Sequence, residues 1–370
     1  MSNQSIDLLA ELLRIYTPSK REAPIAAFLA DRMQTMGFRN VRTDSANNVI
    51  GEVGVGPPIT LLCGHMDTVP GRQPVTVNDN FICGREACDA KSALAAMIMA
   101  ASRFVNRGDA GTIMVAGVSD EEGGGLGVHT LIQGGLKADY AIFGEPSGVD
   151  SITVGYKGSF TVKILCRTAS VHASAPWMTE NSIERLMEVW QAIKNHLSKF
   201  DDPNERYHSV TAVLTKVRGG ISHNVTPGRC RITLNVRVPP QMTCSQVVEE
   251  ITSVVNAFQR DVSFPKINLK VDDFTEPFEA DKSSPLVRAL IRAALKTRGK
   301  RPLLLKKTGT GDMNVLGKAL GIPVVTYGPG NSHLSHTRKE CVEVSDYLSS
   351  IDVISEALVN LAQLTSSASQ

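Results

Sequence analysis

The sequence predicts an α/β protein, a mixed sheet flanked by helices, with a smaller α+β domain inserted into it. Three observations carry this. Apolar runs of helical spacing alternate with short apolar strand-like runs up to about residue 150 and again after residue 274. Between them the texture changes to long alternating strands around two helical segments, the β-α-β-β-α run of a split βαβ, ferredoxin-like sandwich. At 370 residues the chain also exceeds the size at which one hydrophobic core keeps growing. The expected boundaries are 1–152 for the first part of the large domain, 153–265 for the insertion and 266–370 for the second part.

Composition narrows the function classes. Hydrophobic residues at 42% and charged residues at 21% describe an ordinary globular protein. A balance of 39 basic to 37 acidic residues is far from the bias of a nucleic-acid binder. Asp7 and Glu11 interrupt the first apolar stretch, and no later run reaches the uncharged length that spans a bilayer, so a cytoplasmic protein is expected. Seven cysteines without a Cys-x-x-Cys pair read as reduced thiols, not as a disulfide framework or a thiolate metal site. Any bound metal must then be held by nitrogen and oxygen.

Taken in order, Leu8, Leu9, Leu12, Leu13 and Ile15, then Ile25, Phe28, Leu29 and Met33, give two amphipathic helices. Residues 41–43 and 48–53 read as a strand pair, and an apolar strand follows that breaks at Gly64 and delivers His65 and Asp67 two residues apart on one face. Such a pair is either an ordinary hydrogen-bonded couple or a metal-ligating imidazole oriented by a carboxylate. Asp89 precedes an alanine-rich helix, as an N-cap or as a carboxylate bridging two metal ions. A buried strand over 111–119 runs into Asp120-Glu121-Glu122 and three glycines. Adjacent carboxylates at a strand end raise one another's pKa unless a cation sits among them, and the glycines allow close backbone approach to a ligand. A strand over 140–143 ends in the same manner at Glu145.

The inserted region holds strands over 159–167, 210–218 and 229–238, helices over 182–196 and 245–259, and two loop-like stretches around His172 and Asn224. Beyond it come helices over 285–297 and 312–320, a strand over 323–327, His336 in a loop, and a closing helix over 344–364. A polar tail follows over 366–370.

The order of His-x-Asp-Thr-Val-Pro at His65, Asp-Ala-Lys at Asp89, Asp-Glu-Glu-Gly-Gly-Gly at Asp120, Gly-Glu-Pro-Ser at Glu145, His-Ala-Ser-x-Pro at His172 and His-Thr-x-x-Glu at His336 resembles the dinuclear zinc aminoacylase, deacetylase and carboxypeptidase family. The resemblance covers nearly the whole chain and implies a zinc-exopeptidase-like catalytic domain with an inserted lid and dimerisation domain. It implies that His65 and Glu145 hold one zinc, Glu122 and His336 the other, and Asp89 both. Cobalt or manganese is also accepted by such ligands. The remaining carboxylate, Glu121, is then the general base that the reaction needs, with Asp67 orienting His65. The resemblance further implies a homodimer in which His172 reaches the partner's metals as an oxyanion donor. Arg237 and Asn224 would be substrate contacts, and the backbone at Thr310 and Gly311, entering a helix, could bind the same substrate carboxylate. Glu86 and Cys88 stand where many relatives approach the aspartate through glycines, Ser92 where a glycine often follows, and Asn235 where an acid often precedes the arginine.

Gly-Tyr-Lys-Gly at 155–158, Ala-Asp-Lys-x-x-Pro-Leu-Val-Arg at 280–288 and Lys-Thr-Gly-Thr-Gly-Asp-Met-Asn-Val at 307–315 look most like the LysK branch. Its members release lysine or ornithine from the γ-carboxyl of a small acidic amino-group carrier protein, LysW, in lysine and arginine biosynthesis. Lys157, Lys163, Arg167, Lys216, Arg218, Arg229, Arg231 and Arg237 would supply a basic rim for such a partner. An N-acetylornithine or N-acetyl-lysine deacetylase is the alternative within the family. An inactive binding module on the same fold is the alternative outside it, disfavoured by the intact ligand set.

Overall fold

Strand Ile59–His65 is buried along nearly its whole length, as a strand covered on both faces must be. It lies inside a mixed sheet in the computed structural model, which describes residues 2–259 and 265–366. Its neighbours Thr112–Val118 and Tyr140–Gly144 are both parallel to it, with His65 level with Val118 and Gly64 level with Gly144. Val324–Thr326 extends the parallel set beyond Tyr140–Gly144. Antiparallel strands continue the sheet, Val49–Gly54 and Arg39–Thr43 on one side and Ser151–Tyr156 on the other, the last also pairing with Leu303–Lys307.

Helix Lys91–Ser102 is buried from residue 91 to residue 101, because it packs against both the sheet and the long C-terminal helix Val344–Ser366. Two glycines let it settle onto the strands. A Cβ on Gly144 would stand 3.0 Å from Ala93 Cβ, and one on Gly64 3.3 Å from Leu94 Cβ. This close approach brings the start of the helix, and Asp89 just before it, to the carboxyl ends of the parallel strands. Asp89 is not an N-cap: the cap position is Ala90, which makes no side-chain cap bond.

The chain divides into two compact units, Met1–Gly155 with Ala280–Lys306 and Gly311–Gln370, and Tyr156–Glu279 with Lys307–Thr310. The second unit therefore runs past the boundary expected at 265. Strand Lys266–Thr275 pairs along Gly158–Arg167 and completes the sheet; its mixed polar sequence hid it. The sheet order is Thr211–Gly219, Arg229–Val238, Gly158–Arg167, Lys266–Thr275, the ferredoxin-like arrangement. Helices Ser182–Leu197 and Cys244–Ala257 cover one face. Phe160, Val162, Ile164, Ile232, Leu234, Val189 and Ile251 are among the side chains that fill the core between them.

The expectation for the cysteines fails as well. Cys83 and Cys341 form a disulfide, although the cysteines read as reduced thiols. Strand Phe81–Cys83 pairs antiparallel with Cys341–Glu343 in register Cys341↔Cys83, which puts the Cα atoms 4.0 Å apart across a sequence separation of 258. Proximity of that range is invisible to cysteine spacing. Cys63, Cys88, Cys166, Cys230 and Cys244 are free and buried. No helix among the described residues is long and apolar enough to cross a membrane. Residues 367–370 of the polar tail lie outside the described residues.

Candidate metal centre

Three adjacent parallel strands end at one place, and residues at or just beyond their carboxyl ends supply the site: His65, Glu121 with Glu122, and Glu145. Strand carboxyl ends are where open α/β sheets gather their chemistry. His65 is fully buried. Its Nδ1 faces Asp67, 3.3 Å from the carbonyl oxygen and 3.4 Å from Oδ1. Asp67 is itself fixed, accepting from Ser19 Oγ at 2.7 Å and from the backbone amides of Glu121 and Glu122 at 3.1 Å each. One carboxylate thus orients the imidazole and shapes the turn that presents the two glutamates. Burial pushes the His65 imidazole down, but the carboxylates of Asp67 and Asp89 outweigh it and hold it above its ordinary value.

The other imidazole nitrogen tests whether a metal fits. His65 Nε2 is buried without a hydrogen-bond partner among the described residues, 3.6 Å from Asp89 Oδ1 and 3.9 Å from Glu145 Oε1. Two donors on one ion at about 2.0–2.2 Å are separated by roughly 3–3.5 Å, so the spacing is slightly wider than a closed site. Beside it, His336 Nε2 is 2.6 Å from Glu122 Oε1 and 3.5 Å from Asp89 Oδ2. Ligand atoms of Asp89, Glu122 and His336 all lie within 4.8 Å of one another, as do those of His65, Glu121 and Glu145. The donors are imidazole and carboxylate, the set that zinc, cobalt and manganese accept. These residues offer the donors that divalent metal needs, and Asp89 faces both His65 and His336. Burial raises the Asp89 carboxyl, but His65 and His336 overcome this and bring it down to about 2.

Glu121 stands apart electrostatically. Burial pushes its carboxyl well up, His65 opposes this, and Asp312, Glu122 and Asp89 add to the rise. Asp312 was not singled out in the sequence beyond its place at a helix start. It is buried, and burial raises it to about 7. A Cβ on the preceding Gly311 would be 3.8 Å from Glu121 Oε1. Asp120, the first acid of the run, anchors the turn that follows. Its carbonyl accepts the amides of Gly123, Gly124 and Gly125 at 3.3, 3.0 and 2.6 Å. The glycines therefore close a turn on Asp120, and a Cβ on Gly123 would collide with Asp120 Oδ1 at 2.2 Å.

Residues that sequence reasoning missed hold the loops together. Arg85 donates to Glu340 Oε2 at 2.7 Å and to the Thr337 carbonyl at 3.2 Å, and Glu340 also accepts the Glu86 amide at 3.0 Å. This pair ties the segment bearing Asp89 to the one bearing His336. Glu340 was legible as the last letter of His-Thr-x-x-Glu; Arg85 carried no signal.

In the second unit, His172 Nδ1 accepts the Ser174 amide at 3.2 Å, which leaves Nε2 to carry the proton of the neutral ring. His172 and Asn224 are exposed, and their loops join through the Ala173 amide on the Asn224 carbonyl at 2.8 Å. Arg237 donates through Nε to Asn235 Oδ1 at 3.0 Å and also bonds Thr310 Oγ1. Asn235 thus positions the guanidinium without neutralising it. The Gly311 amide, in the first unit, is taken by Asn314 Oδ1 at 3.2 Å, and the Thr310 hydroxyl meets Arg237.

The profile of the peptidase family M20/M25/M40 matches residues 61–360. The chain belongs to that family. A LysW-lysine/LysW-ornithine hydrolase of Saccharolobus solfataricus is 34% identical over 92% of this chain and 91% of its own. The M20 fold is also that of aminopeptidase PepT from Bacillus cereus, with a TM-score of 0.82 at 22% identity over 98% of this chain and 99% of that one. The M20 metallo-carboxypeptidase Sso-CP2 of Sulfolobus solfataricus gives 0.79 at 20% identity over 97% and 99%. Membership makes this M20 chain a metal-dependent amide hydrolase with a mixed α/β sheet flanked by helices.

Proposed function

We propose that this M20 hydrolase uses two divalent metal ions, zinc or cobalt, to release lysine or ornithine from the γ-carboxyl of an acidic LysW-type carrier protein. The observation that carries the reading is the similarity to LysW-lysine/LysW-ornithine hydrolases across more than nine-tenths of both chains. In this reading His65, Glu145 and Asp89 hold one ion, and Asp89, Glu122 and His336 the other. When bound, the ions polarise the amide carbonyl and make water a nucleophile at neutral pH. Glu121 takes the proton from the attacking water and delivers it to the departing amine. Asp67 keeps His65 in one tautomer, and Arg237, with Asn224, grips the carboxylate of the amino acid being released.

A basic sheet face supports the carrier as substrate. In the second unit Arg229, Arg167 and Lys266 stand level across three strands, as do Lys163 and Lys270, while Arg218 faces Arg231. Like charges placed directly opposite cost stability. Asp272 is the acid among these register-matched outward positions, 2.8 Å from Lys163 and 2.7 Å from Lys270. An acidic partner is what such a face complements, and electrostatic steering would raise its association rate.

The pairing into a homodimer is part of the proposal. Trp177, Met178 and Ile221 are 80%, 68% and 88% exposed. Strand Thr211–Gly219 is an edge of its sheet, with Val213 and Val217 outward. Both are features a second copy would cover, and His172, with Nε2–H available, would then serve the partner's site.

The deciding assay compares LysW-linked lysine and ornithine with N-acetylornithine and N-acetyl-lysine. The carrier-linked substrates should be turned over faster, and their kcat/KM should fall steeply once the Debye length shrinks to about 10 Å, while that of the acetyl substrates changes little. Better turnover of acetylornithine, or equal salt sensitivity, would make the chain a plain deacetylase.

A further inference from the structure

Glu86 has a backbone φ of +69°, a left-handed conformation that glycine adopts freely and a side chain of this size resists. It is 0% exposed. An ionisable residue kept in a conformation suited to glycine, at a place with no access to solvent, calls for a compensating interaction. The neighbouring cations act on it through space but donate their hydrogen bonds elsewhere. The Lys91 ammonium donates to the Leu12 and Ile15 carbonyls at 3.2 and 2.8 Å and to Thr17 Oγ1 at 3.4 Å, while the Arg85 guanidinium is taken up by Glu340, Gly71 and Thr337. Glu86 Oε1 accepts the Val69 amide at 3.0 Å. Oε2 is buried with no hydrogen-bond partner among the described residues. A carboxylate oxygen of Glu86 also lies within 4.8 Å of ligand atoms of both His65 and Glu122, residues assigned here to the two different metal positions.

We propose that Glu86 is an additional carboxylate ligand of the metal pair, set between the His65 and Glu122 positions. This rests on the dinuclear reading above and deepens it. A further anionic oxygen raises the coordination number and the hardness of the site, so it favours six-coordinate manganese or cobalt over four-coordinate zinc. Burial of this side chain with one oxygen left without a hydrogen bond among the described residues is a cost that metal binding relieves.

The test uses the full chain as the wild type, Glu86→Gly and Glu86→Gln, each stripped of metal and titrated with Co2+, and with Mn2+ and Zn2+ against a competing chelator. Glu86→Gly suits the left-handed backbone; Glu86→Gln keeps the side-chain volume and decides the matter if the glycine variant does not fold. Loss of the ligand should weaken Mn2+ binding by at least about 10–100-fold, the loss typical even of residues that only support a ligand, and should weaken Zn2+ binding less. The visible spectrum of the Co2+ protein should intensify as the coordination number falls. The metal-free Glu86→Gly chain should melt higher than metal-free wild type and gain less from added metal. Identical Co2+ spectra and Mn2+ affinities in wild type and variants would overturn the proposal. A wild-type chain that itself takes up fewer than two ions would instead overturn the dinuclear reading on which it rests.

Discussion

Glu121 and Glu122 are adjacent, yet their surroundings separate their roles. Glu122 meets His336 at 2.6 Å, whereas Glu121 is pushed up by burial and by acids that include Asp312. Glu121→Gln should therefore keep metal and fold while losing about 10²–10⁴ in kcat, the usual cost of removing a general base. Near-normal turnover in a metal-replete Glu121→Gln protein would sink the assignment. Asp312 gives a second handle. A general base must be ionised, so activity is lost as pH falls through its pKa, and a raised pKa places that acid limb at higher pH. Asp312→Asn removes a neighbouring negative charge that raises Glu121, so the limb of kcat/KM should move to lower pH, by roughly one unit or less. A limb that stays in place or moves upward would show that Asp312 does not act on the base. The sequence offered Glu121 by position in an acidic run; the influence of Asp312, 191 positions later in the chain, belongs to the folded state alone.

At the scale of elements, the strands and helices that carry the candidate ligands were legible because their periodicity is local. Helix Asp312–Leu320 begins and ends where its pattern said, and strand Ile59–His65 delivers His65 at its last residue. What the pattern could not reveal is how two loops far apart are joined. Arg85 and Glu340 meet at 2.7 Å with side chains 8% and 0% exposed. Breaking such a pair from one side leaves a buried charge uncompensated, at about 3–5 kcal/mol. Arg85→Ala and Glu340→Ala should each lower stability on that order, and the double variant should lose clearly less than the sum. Thermal or denaturant unfolding of all four proteins measures this. Additive losses would mean that the loops bearing Asp89 and His336 are not held by this contact.

At the scale of the whole molecule, the proposed dimer makes a prediction that no single-chain property can imitate. A His172→Ala chain and a Glu121→Gln chain should each be nearly inactive alone. If His172 serves the partner's site, one of the two sites in a mixed dimer keeps both residues, so mixing should restore activity, up to about half per mixed dimer by that count. Absence of rescue after subunit exchange has been demonstrated would confine His172 to its own loop. Sedimentation of the same mixtures reads the oligomeric state independently.

By itself the sequence determined the class of fold and the inserted ferredoxin-like unit, and it offered the candidate metal-ligand letters, because hydrophobic periodicity and motif order are properties of neighbouring residues. It also marked Glu86, as a departure near Asp89, without showing what that departure does. Tertiary structure decided the rest: the Cys83–Cys341 disulfide, the Arg85–Glu340 tie, the fourth strand Lys266–Thr275 and the seat of Glu86 beside His65 and Glu122. Each depends on which distant segments meet, and that is set by packing between elements, to which no local pattern in the chain corresponds.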